Sequence, residues 1–184
     1  MRIIAGRARG TKLKMPKGVE TRPTADRIKE SLFNILQGRF HEARVLDLFA
    51  GTGNLGLEAV SRGAVSALFV DQRTKALIEA NIRLVHAEAE AKVRPGDVLA
   101  VLGELAARGE QYDLIFADPP YYKGLATSTL QKVARGDLLS EEGILIIEHG
   151  IEEAPPPPDG YACVRRVKYG KTTAVSMYGK ELHP

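Results

Sequence analysis

Short apolar runs recur along most of the chain, separated by amphipathic stretches. From residue 44 onward the order is VLDLF, a helix-like stretch over 54–62, ALFVD, 73–88, AKVR, 97–108, DLIFAD, 124–135 and ILIIE. Near-continuous apolar strands alternating with helices specify a parallel sheet covered on both faces. Such sheets bind ligands beyond the carboxyl ends of their strands. Upstream, Ile28, Leu32, Ile35 and Leu36 share one face of a helix that begins after Pro23-Thr24. Residues 1–15 set short apolar pieces around Gly6 and Gly10, which reads as a small β-hairpin or arm outside the main domain, its basic side chains in solvent. After Pro155–Pro158, an extended connector, YACVRRVKY and TTAVSMY flank Gly170-Lys171, the pattern of an antiparallel hairpin. The expected fold class is α/β with a sheet that ends mixed: one domain over 21–184, with a basic extension over 1–20.

Composition agrees with one domain that builds its own core. Of 184 residues, 44% are hydrophobic and 27% charged, which excludes a disordered or fibrous chain. No apolar run reaches the ~18 residues of a membrane span, and the N-terminus lacks a signal-like stretch, so a cytoplasmic protein is expected. The single cysteine, Cys163, rules out an internal disulfide and a CxxC zinc site; no metal is expected.

The net charge of +3 is unevenly spread. Arg2, Arg7, Arg9, Lys12, Lys14 and Lys17 precede the first acid, and Arg165, Arg166, Lys168 and Lys171 cluster near the C-terminus. A cationic segment on a balanced body suits a polyanion such as nucleic acid, through release of counterions from phosphates. An ordinary solvated tail is the alternative on charge alone.

Candidate chemistry begins where VLDLF runs into Ala50-Gly51-Thr52-Gly53-Asn54-Leu55-Gly56, a GxGxxG between a strand and a helix. Glycines there permit a tight turn and close backbone approach, while helix amides point at the ligand, so a nucleotide-type cofactor is expected. Asp71, ending the next strand, is placed to accept from ribose hydroxyls. Asp97 either meets an adenine amino group or caps a helix. Asp47, expected to be ionised, would repel a dinucleotide pyrophosphate and attract the cationic S-adenosylmethionine; bonding the loop amides is its alternative role.

The fourth strand delivers Asp118-Pro119-Pro120-Tyr121 to the same edge. An exocyclic amine on a nucleobase is a poor nucleophile because its lone pair is delocalised into the ring. It reacts when both hydrogens are held, here by the Asp118 carboxylate and a carbonyl of the stiff Pro119-Pro120 turn, so that the lone pair points at the donor methyl. Tyr121 offers a stacking face for an extruded base. A rigid turn with Tyr121 and Tyr122 as rim aromatics is the bland alternative. His41, His86, His149 and His183 are scattered without partners, although His149 ends a strand.

Together these segments resemble the bacterial 16S (small-subunit) ribosomal RNA guanine-N2 methyltransferases, class I enzymes that use S-adenosylmethionine. The resemblance covers MRIIAGRARGTKL, RPTADRIKESLFNIL, VLDLFAGTGNLGLEA, FVD, the GD at 96 and 97, DPPY and KYGKTTAVSMY. It implies a Rossmann-like, seven-stranded, mostly parallel sheet with a reversed last strand. It also implies methylation of one guanine in 16S rRNA, within an assembled or assembling subunit. Gly51, Gly53 and Asp47 would then line the methionine moiety, Asp71 the ribose and Asp97 the adenine. Phe49, Gln72 and Val98 would complete the cofactor site, and Arg22, Pro23 and Thr24 would close over it. Asp118 and the Tyr121 ring would hold the guanine, with the Tyr121 hydroxyl of little consequence. Arg27, Tyr122 and Lys123 would join the two basic clusters in gripping RNA. A DNA methyltransferase acting on adenine N6 or cytosine N4 shares this amine chemistry, but the chain is short of elements that read duplex bases.

Overall fold

The strand and helix signals close into one sheet with a crossover at its middle. The computed structural model describes residues 1–18 and 23–181, with residues 23 and 24 described by their backbone. Along the chain come α1 (Pro23–Ile35), β1 (Arg44–Leu48), α2 (Asn54–Ser61), β2 (Ser66–Asp71), α3 (Lys75–Leu84), β3 (Ala91–Pro95), α4 (Val98–Ala107), β4 (Tyr112–Ala117), α5 (Leu125–Arg135), β5 (Leu139–Gly150), β6 (Tyr161–Tyr169) and β7 (Thr173–Lys180). The sheet order is β3-β2-β1-β4-β5-β7-β6. β1 to β5 are parallel, and β7 runs antiparallel between β5 and β6. The closing hairpin therefore forms as expected, its second strand inserted against the parallel set. Because the chain leaves β1 toward β2 and later returns on β1's other side as β4, a crevice opens beyond the carboxyl ends of those two strands.

Alternation along the strands feeds two cores. Val45, Leu114, Phe116 and Ile146 face α1, α2 and α3, while Leu46, Ile115, Ala117 and Ile147 face α4 and α5. This two-sided burial is why the strands read as continuous apolar runs.

Two boundaries differ from expectation for local reasons. The Asp71 carboxylate accepts from the N–H groups of Arg73 and Thr74, at 2.8 and 3.1 Å. That turn delays α3 to Lys75, and the positive φ of His86 lies beyond its end. β5 begins earlier than the ILIIE run, because Leu139 pairs with Tyr112 ahead of a register shift.

The N-terminal arm is not set apart from the body. A single antiparallel bridge, Arg2 to Lys12, closes it, and Ile3 and Leu13 are buried in the core on the α2 side. The Glu58 carboxylate accepts from the backbone N–H groups of Ile4 and Ala5, at 2.8 and 3.0 Å, and Asn81 of α3 bonds both backbone groups of Lys14. Two apolar anchors and a ladder of side-chain acceptors outweigh the freedom a basic tail would keep. The arm expected outside the main domain is instead packed on it through its backbone and two apolar side chains, while Arg2, Arg9, Lys12 and Lys14 are exposed, as expected of its basic residues.

Candidate active site

A cavity of about 1160 Å³ occupies the crevice and is lined by the glycine loop, the strand-end acids and the DPPY turn. The loop needs its glycines for three different reasons. Gly51 and Gly53 have φ of +57° and +78°, the left-handed region that side chains resist. A Cβ on Gly51 would have nothing nearer than 4.0 Å, so this backbone lies open to the cavity. A Cβ on Gly56 would fall 2.4 Å from the Phe69 ring and 3.1 Å from Asp47, so the third glycine lets α2 lie against β2.

Each candidate cofactor acid also holds the scaffold. Asp47 is buried and accepts from the Gly56 N–H at 2.8 Å. Burial, opposed by that bond and reinforced by the charge of Asp71, pushes its carboxyl up to about 7. The expectation of a fully ionised Asp47 is therefore corrected, and the loop-capping alternative is realised alongside its place in the cavity wall. Asp71 accepts from the Gly51 N–H at 3.0 Å. Asp97 caps α4 by accepting from the Ala100 N–H at 3.0 Å, and its other oxygen accepts from the Gln72 amide at 3.2 Å. Phe49, Gln72 and Val98 line the cavity too. Arg22 lies outside the described residues, as do the side chains of Pro23 and Thr24.

Asp118, Pro119, Pro120 and Tyr121 line the cavity beside these acids. Solvent reaches Asp118 through the cavity mouth. Protein crowds its other sides, and burial, then the charges of Glu148 and Asp47, raise its carboxyl well above the usual carboxylate range. The Tyr121 hydroxyl donates to Glu148 and lies 3.4 Å from the Thr173 hydroxyl. The hydroxyl, to which the resemblance gave little consequence, ties the ring to β5 through Glu148. Burial raises Glu148 as well, against the Tyr121 bond that lowers it. Among the described residues no group of His, Cys, Asp and Glu is arranged to hold a metal ion.

Glu148 and Lys29 were missed in the sequence. Glu148 carried a usable signal, since it ends an apolar run as Asp71 and Asp118 do. Lys29 carried none. Its Nζ is buried at the cavity wall and donates to Glu58 (2.8 Å), Asn54 Oδ1 (2.5 Å) and the Arg2 carbonyl (2.8 Å). His149 is buried away from the cavity lining, donating from Nδ1 to the Gly150 carbonyl (2.7 Å) and accepting at Nε2 from Ser176 (2.8 Å).

The basic candidates are all exposed, and they divide by position. Lys123 lines the cavity. Tyr122, 64% exposed, packs its ring over Gly150. Thr172 and Thr173 also line the cavity, which brings the adjoining Lys171 to its rim. Arg166 pairs with Ser176, three residues down the ladder and so about 10 Å lower, with Arg165 and Lys168 on the same outer strand. Arg7 is partly engaged by Glu90 at 2.7 Å. α1, which carries Arg27, joins the two clusters: Lys29 bonds the arm, and the Tyr169 hydroxyl donates to Ser31 at 2.8 Å.

The family model described as Conserved hypothetical protein 95 matches residues 1–178. The chain belongs to this family. It is 33% identical to Ribosomal RNA small subunit methyltransferase D of Escherichia coli (strain K12), over 98% of this chain and 90% of that protein. It is 37% identical to YlbH of Bacillus subtilis (strain 168), over 98% and 99%. The solved structure of yhhF from Escherichia coli superposes with a TM-score of 0.87 at 33% identity, covering 100% of this chain and 99% of that one. The fold is accordingly the Rossmann-like methyltransferase fold, with one strand of the sheet reversed.

Proposed function

We propose that this chain methylates the exocyclic N2 amine of one guanine in small-subunit ribosomal RNA, using S-adenosylmethionine, in the cytoplasm and on an assembled or assembling subunit. The observation that carries the reading is Asp118, open to solvent at the end of β4 within the cavity that the glycine loop lines. The name of the E. coli relative supports ribosomal RNA as the substrate.

The donor set fits the cofactor. Asp47, Asp71, Asp97, Asp118 and Glu148 line one cavity, an environment that favours a ligand bearing ammonium and sulfonium charge over a pyrophosphate. Gly51 leaves its backbone exposed at the cavity wall, and the Asp71 and Asp97 carboxyls sit at successive strand ends for ribose and adenine. Arg22, Pro23 and Thr24 are assigned to the cofactor as well. When bound, S-adenosylmethionine supplies a methyl group already activated for transfer. The protein orients the acceptor: the Asp118 carboxylate and the Pro119 carbonyl take the two amine hydrogens, Tyr121 stacks on the base, and Asp118 or water takes the proton afterwards. The arm, Arg27, Tyr122, Lys123 and the β6–β7 hairpin with Lys171 grip the RNA backbone and the neighbouring bases.

Isotope-labelled S-adenosylmethionine offered with separated 16S rRNA, small subunits and duplex DNA tests the reading. Label is expected in the RNA, as N2-methylguanosine in nuclease digests read by mass spectrometry. Incorporation into DNA alone would overturn it.

A further inference from the structure

β4 and β5 are parallel neighbours with Ala117 opposite Ile147. The next residues, Asp118 just past β4 and Glu148 two residues before the end of β5, therefore stand side by side, on strands about 4.8 Å apart. Both line the cavity. By the two-residue period of a strand they share the sheet face of Phe116 and Ile146, the face covered by α1 and α2. Glu148 is held from one side only. Its Oε1 accepts from the Tyr121 hydroxyl, and among the described residues no hydrogen bond reaches its second oxygen or either oxygen of Asp118. Two neighbouring carboxyls thus turn unused acceptors toward one space, and Tyr121, on which the base would stack, fixes the second of them.

We infer that Glu148 is a specificity-determining residue, accepting the ring N1–H of guanine while Asp118 accepts from the adjacent N2 amine. The inference rests on the amine-methylating reading above. In guanine the reactive amine is flanked by a ring N–H, so the edge presents donor beside donor to the pair of acceptors. In adenine and cytosine the amine is flanked by an unprotonated ring nitrogen, whose lone pair would face the Glu148 carboxylate. Asp118 and the Pro119 carbonyl suffice to hold an amine; a further acceptor beside Asp118 attracts guanine and repels the other two amine-bearing bases. The sequence motif DPPY carries only the acceptors for the amine and is silent about the base. The acceptor for the ring N–H comes from a different strand.

The test uses small-subunit RNA, in reconstituted subunits, carrying either guanine or 2-aminopurine at the nucleotide the enzyme methylates. 2-Aminopurine keeps the amine and replaces the N1–H by a lone pair. For the unmodified protein, kcat/KM is expected to favour guanine by about ten- to a hundredfold, the range for one well-made base contact. Glu148→Gln keeps the size and the acceptor for Tyr121 but turns an N–H toward the base, so the guanine-to-2-aminopurine ratio is expected to fall at least tenfold. KM for S-adenosylmethionine should stay as it was. Glu148→Asp, charged but shorter, should keep the guanine preference at a lower rate. A residue that merely braces Tyr121 would depress both substrates together, so an unchanged ratio in Glu148→Gln, or its loss in Glu148→Asp, overturns the inference. The ratio is taken within each variant and is insensitive to the folded fraction. Nucleoside analysis of the unmodified reaction separately shows whether the exocyclic amine of guanine is the target, so failure of the underlying reading is seen on its own.

Discussion

Lys29 of α1 and Glu58 of α2 form an ion pair of 2.8 Å, with their side chains 1% and 0% exposed. Burial lowers Lys29 despite its partner; burial also pushes Glu58 upward, but the Lys29 charge and the bonds from Lys29, Ile4 and Arg62 together hold it below the usual carboxylate range. This pair joins three elements that lie far apart along the chain: the arm, the first helix and the helix that follows the glycine loop.

Removing one partner of such a pair leaves the other charge buried. Lys29→Met is expected to cost about 3 kcal/mol, the low end for a broken buried pair because Arg62 still bonds Glu58 at 2.9 Å. Urea unfolding gives the size, and amide exchange at Ile4 and Ala5 should accelerate with it. A loss under about 0.5 kcal/mol, the ordinary size for surface positions, would mean that the pair is dispensable.

Asp118→Ala removes an acceptor that no other residue of the turn replaces. Methyl transfer should fall by at least about 10²–10³-fold, as when one group of a preorganised site is deleted. Isothermal titration with S-adenosylhomocysteine should show nearly unchanged affinity. Retained turnover would refute the role given to this carboxyl.

Two site acids are raised in the folded protein, Asp47 to about 7 by burial and Asp118 by burial and neighbouring charge. The folded state therefore keeps protons that the unfolded chain releases near pH 4. Stability contributed by these groups is present at low pH and declines as pH rises toward 7 and above. A cationic ligand favours the ionised carboxyls, so affinity for S-adenosylmethionine should rise over the same interval, with protons released on binding. Titration in buffers of different ionisation enthalpy measures the release; proton uptake instead would contradict the assignment.

Gly56→Ala places a methyl group 2.4 Å from the Phe69 ring, which is itself fully buried. Overpacking of this kind costs about 1–3 kcal/mol. The Asp47 bond to the residue 56 N–H should weaken with it. A melting temperature equal to that of the unmodified protein would show that α2 can shift without cost.

Reversing the charge of Arg9 and Lys12 should weaken RNA binding and reduce the slope of log K against log salt by about 0.7–0.9 for each phosphate no longer neutralised. Arg7, already paired with Glu90, should contribute less than either. Filter binding across a salt series reads both. Equal slopes would place the grip elsewhere, with Lys171 and Lys123 at the cavity rim as the next positions to change.

The βα order, the glycine loop and the DPPY turn were legible because each is local. Apolar runs identify strands buried on both faces, and a turn's chemistry lies within a few consecutive residues. Even the acids of the cavity followed a local rule, as Asp71 and Asp118 end apolar runs; Glu148 obeys it too and was passed over beside the more conspicuous motifs. The arm was misjudged for the opposite reason. Its charges are local, but Ile3 and Leu13 bury themselves against a core that no neighbouring residue announces.

The sequence by itself determined which segments are strands and helices, and that the glycine loop and the DPPY turn follow strands at the same edge of the sheet. Periodicity and turn chemistry act over a few residues. Tertiary structure alone decided that Glu148 stands beside Asp118, that Lys29 joins the arm to α2, and that Asp47 loses its ordinary acidity. Those properties depend on side chains brought together from distant positions and on the water excluded between them, and neither distance nor desolvation is written in the order of the residues.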